Sequence, residues 1–192
     1  MKNNIPYIFA LLFLFAFTAC ETKKSDDSVA VAEDQNEKKD SSAKDASEFS
    51  VDASKFAVEA ADGGLLEVQL GTLALTKAAS PQVKKFAQMM VDDHTKANNE
   101  LKALAGKKNI TLPTVMSEDC QKKYYDLDQK RGADFDKDYM DLMVKDHKDD
   151  IDEFEKAAEK SEDPDVKSWA AGKVTTLRHH LEEAQRVRDA LK

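Results

Sequence analysis

The spacing of apolar residues between positions 51 and 192 is the feature that most restricts what this chain can fold into. Apolar side chains recur there every three to four positions, which places them on one face of an α-helix. The whole chain has only six glycines and four prolines, and aromatic residues make up 7% of it. That composition is too poor in strand-forming residues for a β-sandwich or barrel. The pattern therefore predicts an all-α fold.

The apolar pattern divides into four long helices and one short one. Short turns join the first two long helices and the last two, whereas a long connection from Asn109 to Gly132 separates the pairs and contains a short helix from Ser117. The long helices are expected at about 54–78, 81–107, 133–160 and 164–191. This order predicts an up-down four-helix bundle with a long crossover between its second and third helices.

Residues 1–19 have the features of a lipoprotein signal peptide. An apolar run over 5–17 follows Lys2. This run is shorter than a membrane-spanning helix, which needs about 20 apolar residues, and it has the length of a signal-peptide core. The small residues before Cys20 resemble the bacterial lipobox, whose cysteine is acylated. We predict a lipid anchor at Cys20 that attaches the protein to the bacterial envelope, at the outer membrane facing the periplasm or the surface. The alternative is an ordinary secretory signal with an incidental cysteine.

The segment 20–50 differs sharply in composition from the rest. Residues 21–50 hold nine acidic residues and five lysines, and their only large apolar residue is Phe49. Such a stretch buries too little to offset its chain entropy, so we expect a disordered polar tether that follows the acylated Cys20. A recognition peptide is the alternative. The folded domain is then 51–192, and in it Cys120 is interpreted as a small, half-buried apolar residue rather than a reactive thiol.

Charge and motifs exclude several classes of function. The 29 basic and 37 acidic residues give a net charge of −8, which disfavours nucleic acid as a partner. The sequence has no nucleophile elbow, phosphate loop, His-Glu-x-x-His pair or Cys-x-x-Cys pair. These features favour a non-enzymatic binding or stress-related envelope module. A metal-binding protein is the second hypothesis, and a redox enzyme is the least favoured.

A layer of polar residues is predicted inside the bundle. Four residues fall on the apolar faces of their helices, near the midpoints: Glu67, His94, His147 and His180. Placed side by side, the helices would bring them to one level, with His179 facing outward. The predicted neighbours of the layer are Asp93 and Asp146 at its border and Met90 and Met143 one turn away.

Two interpretations of this layer remain open. In one, Glu67 pairs with protonated histidine or with Lys173, and the buried network fixes the register of the helices. In the other, the four residues bind a single metal ion, with Asp93, Asp146 and the two methionines around it. A site rich in histidine suits copper or zinc.

The sequence from Phe56 to Leu181 resembles a bacterial family known as domain of unknown function 4142. The similar stretches are EVQLG at 67–71, VKKFA at 83–87, MVDDH at 90–94, FDKDYM at 135–140, DH at 146–147 and LRHHL at 177–181. The resemblance implies a ferritin-like four-helix bundle exported to the bacterial envelope. Di-iron ferritin-like proteins use Glu-x-x-His pairs, whereas Val91, Val144 and Leu177 stand three positions before the histidines. A di-iron centre is therefore not expected.

Overall fold

A computed structural model describes residues 27–42 and 51–191, and every regular element within these ranges is a helix. The helices are α1 (Ser28–Ser42), α2 (Val51–Lys77), α3 (Pro81–Lys107), α4 (Glu118–Asp128), α5 (Gly132–Lys160) and α6 (Pro164–Ala190). The predicted all-α bundle is confirmed. The predicted signal peptide and Cys20 lie outside the described residues. Within those residues, no helix is both long enough and apolar enough to cross a membrane.

The four long helices form two hairpins, α2 with α3 and α5 with α6, which pack against each other. The backbone N–H groups of Ala79 and Ser80, in the first turn, donate to Asp136 at the start of α5. At the other end of the bundle, Lys108 after α3 pairs with Asp163 in the second turn. Helices α3 and α5 therefore run in the same direction. The connection between them spans the length of the bundle and contains α4, as expected.

Local side chains define where the helices begin. Pro81 and Pro164 occupy first helical positions, where the N–H that proline lacks would have no partner within the helix. The residues before them cap the exposed N–H groups: Ser80 accepts from Gln82, and Asp163 accepts from two N–H groups of the first turn of α6. Ser117 caps α4 in the same manner. These caps explain why the sequence predicts the starts of these helices well.

Apolar clusters fill the bundle on both sides of its middle. One cluster, toward the α2–α3 turn, includes Leu70, Phe86, Met90, Phe135, Tyr139 and Met143. A second, toward the α5–α6 turn, includes Phe56, Ile151, Phe154, Val166 and Leu177. The polar residues Glu67, His147 and His180 lie along their helices between members of these two clusters. The packed clusters hold the backbone on either side of this layer, so its side chains have fixed positions.

The prediction that residues 21–50 form a disordered tether is wrong for 28–42, which form α1. This helix packs on α2 and on the connection that follows α3. Ala32 and Asn36 are buried, and the Asn36 side chain both donates to the Thr111 carbonyl and accepts from its N–H. Lys39 donates to the Asn109 carbonyl. Polar contacts and one small apolar residue stabilise α1, and a count of large apolar residues does not detect them. Residues 43–50 lie outside the described residues.

The buried side chain of Asp62 ties α4 to α2. It accepts hydrogen bonds from the N–H and the hydroxyl of Ser117 at 2.7 and 2.6 Å, and from the Cys120 thiol at 3.1 Å. Burial raises the pKa of the Cys120 thiol to about 12, with the nearby Asp62 carboxylate adding to the effect. The thiol therefore stays protonated at neutral pH and is a weak nucleophile, as expected of a structural cysteine.

Asp136 provides a test of how the two hairpins are joined. Replacing the buried Asp136 with alanine leaves the N–H groups of Ala79 and Ser80 without their acceptor in a partly buried turn. We expect the free energy of unfolding to fall by about 1–3 kcal/mol, measured by chemical denaturation. Asp134→Ala, at an exposed position two residues earlier, is the matched control and should be close to neutral. Equal effects of the two substitutions would contradict this role of Asp136.

Candidate metal centre

Four helices each contribute one residue to a buried polar layer. Glu67 comes from α2, His94 from α3, His147 from α5 and His180 from α6. Their exposed fractions are 5%, 6%, 0% and 1%. His179, next to His180, is exposed. The structure thus brings the four predicted residues together and turns His179 outward, as the helical spacing indicates.

One nitrogen of each imidazole points toward the centre of the layer. His94 Nε2 lies 3.2 Å from His180 Nδ1, and His147 Nε2 lies 3.4 Å from the same atom. The three histidines offer ligand atoms that all lie within 4.8 Å of one another. We call these three atoms the inner nitrogens.

The other ring nitrogens are held by neighbouring groups. His147 Nδ1 donates to the Met143 carbonyl at 3.0 Å, and His180 Nε2 donates to Asp93 Oδ2 at 2.9 Å. A carbonyl and a carboxylate only accept hydrogen bonds, so these two nitrogens carry the protons of their neutral rings. The inner nitrogens of His147 and His180 therefore present lone pairs to each other. This arrangement of outer partners is the one that orients histidine ligands in metal sites.

Glu67 connects the histidines through both of its oxygens. Oε2 lies 2.6 Å from His94 Nδ1, whereas Oε1 lies 3.6 Å from His147 Nε2 and has no hydrogen-bond partner among the described residues. Burial, together with the charge of Asp146, raises the pKa of Glu67 well above its usual value. Burial lowers the pKa of His94 to about 4 and that of His147 to about 3. Without an ion, the layer therefore favours a protonated Glu67 and neutral imidazoles.

These protonation states leave one part of the layer unsatisfied. A protonated Glu67 donates to His94 Nδ1, and His94 Nε2–H then donates to the inner nitrogen of His180. The inner nitrogen of His147 still faces the lone pair of His180, whereas Glu67 also has the carboxyl group of Asp150 within hydrogen-bonding reach. Buried acceptors that face one another without a donor are costly, and a cation between them would remove that cost.

Sequence reasoning missed Asp150 of α5. Its carboxylate, Glu67 and His147 offer ligand atoms that lie within 4.8 Å of one another. Burial and the charges of Glu67 and Asp146 raise the pKa of Asp150 well above its usual value. The signal was available, because Asp150 stands three positions after His147 and hence on the same side of the helix. One ring nitrogen binds one ion, so Asp150 enlarges the same site and does not add a second one.

The predicted neighbours of the layer have different roles. Asp93 contacts His180, as expected. Asp146 instead pairs with Lys123 of α4 at 3.2 Å, and it acts on the layer through its charge. Met90 is fully buried, and the backbone carbonyl of Met143 holds His147. The suggestion that Lys173 pairs with Glu67 is wrong, because Lys173 reaches across to Glu100 near the surface.

Two of the three separations between the inner nitrogens match those in a metal site. Zinc in a tetrahedral site has metal–nitrogen bonds of about 2.0–2.1 Å, which places its ligand nitrogens roughly 3.3 Å apart. The two separations measured from His180 Nδ1 are 3.2 and 3.4 Å. Glu67 Oε1 and the Asp150 carboxylate are the nearest oxygen donors. The chemistry and the geometry of the donor set both suit a single ion.

Comparison with protein families identifies the chain. The family model described as Domain of unknown function (DUF4142) matches residues 38–187. The chain belongs to the DUF4142 family. The DUF4142 match includes all of α2 to α5, most of α6 and every candidate ligand. Comparisons with curated proteins and with solved structures gave no match. The description of the family gives no activity, so function has to be argued from the site.

Proposed function

We propose that this DUF4142 protein is a lipid-anchored envelope protein, non-enzymatic in its role, that binds one copper or zinc ion at the centre of its bundle. The observation that supports this most strongly is that three inner nitrogens, from three helices, lie close together. The outer nitrogen of each ring is hydrogen-bonded to a neighbouring group. Met143, Asp93 and Glu67 hold the outer nitrogens. A preorganised set of this kind binds an ion with little movement of its side chains, and the proton on His94 Nε2 leaves while Glu67 passes its own proton to His94 Nδ1.

A purely structural network is the competing explanation, and it accounts for the layer less well. Buried polar networks stabilise a fold when each member has a partner. Here the inner nitrogen of His147 faces the lone pair of His180 and receives no hydrogen bond in the neutral layer. Burial lowers the pKa of His94 and His147, so protonated imidazoles do not supply the missing donors near neutral pH. A metal ion would satisfy these groups together.

The donor set indicates which metals fit. Three imidazoles with one or two carboxylates favour zinc or copper(II), whereas calcium and magnesium prefer oxygen ligands alone. A pair of ions would need a second set of ligands. Both groups of candidate ligands contain His147, whose inner nitrogen serves one ion only. We therefore propose a mononuclear site.

Stoichiometry tests the metal site. The protein is first stripped of metal with a chelator and then titrated with Zn²⁺, and separately with Cu²⁺, in a calorimeter. We expect one tightly bound ion per chain. His179→Ala removes the exposed histidine and should leave the stoichiometry unchanged. Weak binding without a defined stoichiometry would contradict the proposal.

The lipid anchor is proposed from the sequence alone. An apolar run over 5–17 and the small residues before Cys20 support it. Replacing Cys20 with serine should move the protein from the membrane fraction to the soluble fraction, because the acyl chains supply the stable attachment. Cys120→Ser is the matched control and should stay with the membranes. If the Cys20→Ser variant partitions like the unaltered protein, the anchor is wrong.

A further inference from the structure

A cavity of about 120 Å³ lies directly beside the polar layer. Its inner wall includes the buried residues Glu67, His94 and His180, and its outer part includes the exposed residues Glu59, Lys96 and Thr176. The cavity therefore leads from the surface to the polar layer, which it reaches at Glu67, His94 and His180. Its volume is enough for several water molecules. A partly hydrated ion could pass through it.

We propose that this cavity is the route by which a hydrated divalent cation reaches the three histidines. The inference rests on the proposed metal site, and it adds how the ion arrives there. The lining has five carboxyl groups. Two of them, Glu67 and Asp150, have strongly raised pKa values, so the negative charge comes mainly from Glu59, Asp93 and Glu153. The lining has two lysines, and one of them, Lys173, pairs with Glu100. A cleft lined mainly by one sign of charge concentrates ions of the opposite sign.

Glu59 and Glu153 form the outer part of this route. Both line the cavity, and both also line a neighbouring cavity of about 350 Å³. Burial raises the pKa of Glu153, and the charge of Glu59 contributes to the same shift. The two carboxylates are thus near enough to repel each other. A cation that arrives between them relieves this repulsion, so the pair acts as the collecting point.

Glu67 receives the ion at the inner end of the route. It is more than nine-tenths buried, it lines the cavity, and its Oε1 has no hydrogen-bond partner among the described residues. The same oxygen lies 3.6 Å from His147 Nε2. Asp150 also lines the cavity. An ion that moves from Asp150 to Glu67 Oε1 is therefore next to the inner nitrogen of His147. The cavity lining, which includes Glu67, His94 and His180, is the reason for placing the end of the route at the layer.

Gly63 and Gly64 lie on the α2 wall of the cavity. A Cβ at Gly64 would meet the Asn98 side chain, which would have to move. A Cβ at Gly63 would have no atom within 4 Å, so a larger side chain fits there and would narrow the route. Glu67 stands four positions later on the same helical face, so the equilibrium Kd is measured together with the rates.

The rate of metal binding tests the route. Trp169, the single tryptophan of the chain, lines the cavity, and Cu²⁺ quenches indole fluorescence. Stopped-flow mixing of metal-free protein with Cu²⁺ then gives the association rate, and competition with a chelator gives the dissociation rate. We expect Gly63→Leu to slow both rates by a similar factor and to leave the equilibrium Kd unchanged. Gly172→Leu, at an exposed glycine within α6, is the matched control for helix propensity.

The charge at the outer end is tested separately. The double variant Glu59→Gln/Glu153→Gln should lower the association rate about tenfold at low ionic strength, with a smaller loss at high salt. Glu162→Gln/Glu182→Gln removes two exposed carboxylates that do not line the cavity, and it should change the rate little. The two double variants test the route even if the Gly63→Leu variant fails to fold.

The outcomes separate the route from the site. Failure of the unaltered protein to bind either Cu²⁺ or Zn²⁺ would overturn the proposed function. Tight binding with unaltered rates in Gly63→Leu and in the double glutamine variant would overturn the route and leave the site intact. Slowing by Gly63→Leu alone would retain the cavity and overturn the collecting role of Glu59 and Glu153.

Discussion

Replacing His147 with alanine is expected to abolish the stabilisation of the bundle by metal. His147 is fully buried, and both groups of candidate ligands include it. An ion that binds only the folded state adds about 2.7 kcal/mol at a free concentration one hundred times its Kd. The melting temperature of the unaltered protein should therefore rise with added Zn²⁺. The variant should show no rise at the same concentrations, as measured by calorimetry.

The unaltered protein and the variant are compared by the change in melting temperature that the metal causes, and not by the melting temperature itself. His147→Ala also leaves a void in the core, so the variant is expected to be less stable even without metal. His179→Ala removes an exposed histidine from α6 and should retain the full shift. A metal-dependent rise of equal size in the His147→Ala variant would show that the ion binds elsewhere.

Leu70→Ala should destabilise the bundle by about 2–5 kcal/mol, because it removes a fully buried side chain from the cluster that supports the layer. Chemical denaturation at constant pH measures the change. Val115→Ala, at a side chain that is 59% exposed, is the control and should shift the stability by less than about 0.5 kcal/mol. A loss below 1 kcal/mol at Leu70 would show that this part of the core is poorly packed.

The helices and the convergence of four polar residues could be predicted because both depend on local spacing. Proline, serine and aspartate at fixed positions define the starts of α3 and α6. A polar residue between apolar residues three and four positions away has to face the core. That argument places Glu67 and the three buried histidines, and it places His179 outside.

The incorrect predictions concern contacts about which the spacing of residues along a helix carries no information. Helix α1 depends on hydrogen bonds from Asn36 to Thr111, 75 positions away, and composition carries no information on such contacts. Asp146 is predicted at the border of the layer, but its carboxylate pairs with Lys123, because α4 lies over that part of α5. Lys173 is long enough to extend from an inner position to Glu100 near the surface. Each error concerns a partner on another helix or in the long connection.

X-ray absorption spectroscopy of the zinc- or copper-loaded protein counts the ligands of the ion and so tests the proposed metal centre itself. We expect one ion per chain, with three imidazole nitrogens at about 2.0–2.1 Å and one or two oxygens completing its coordination. In His147→Ala the imidazole contribution should fall along with the bound metal. A spectrum with oxygen ligands only, or with fewer than two imidazoles, would contradict a metal centre formed by His94, His147 and His180.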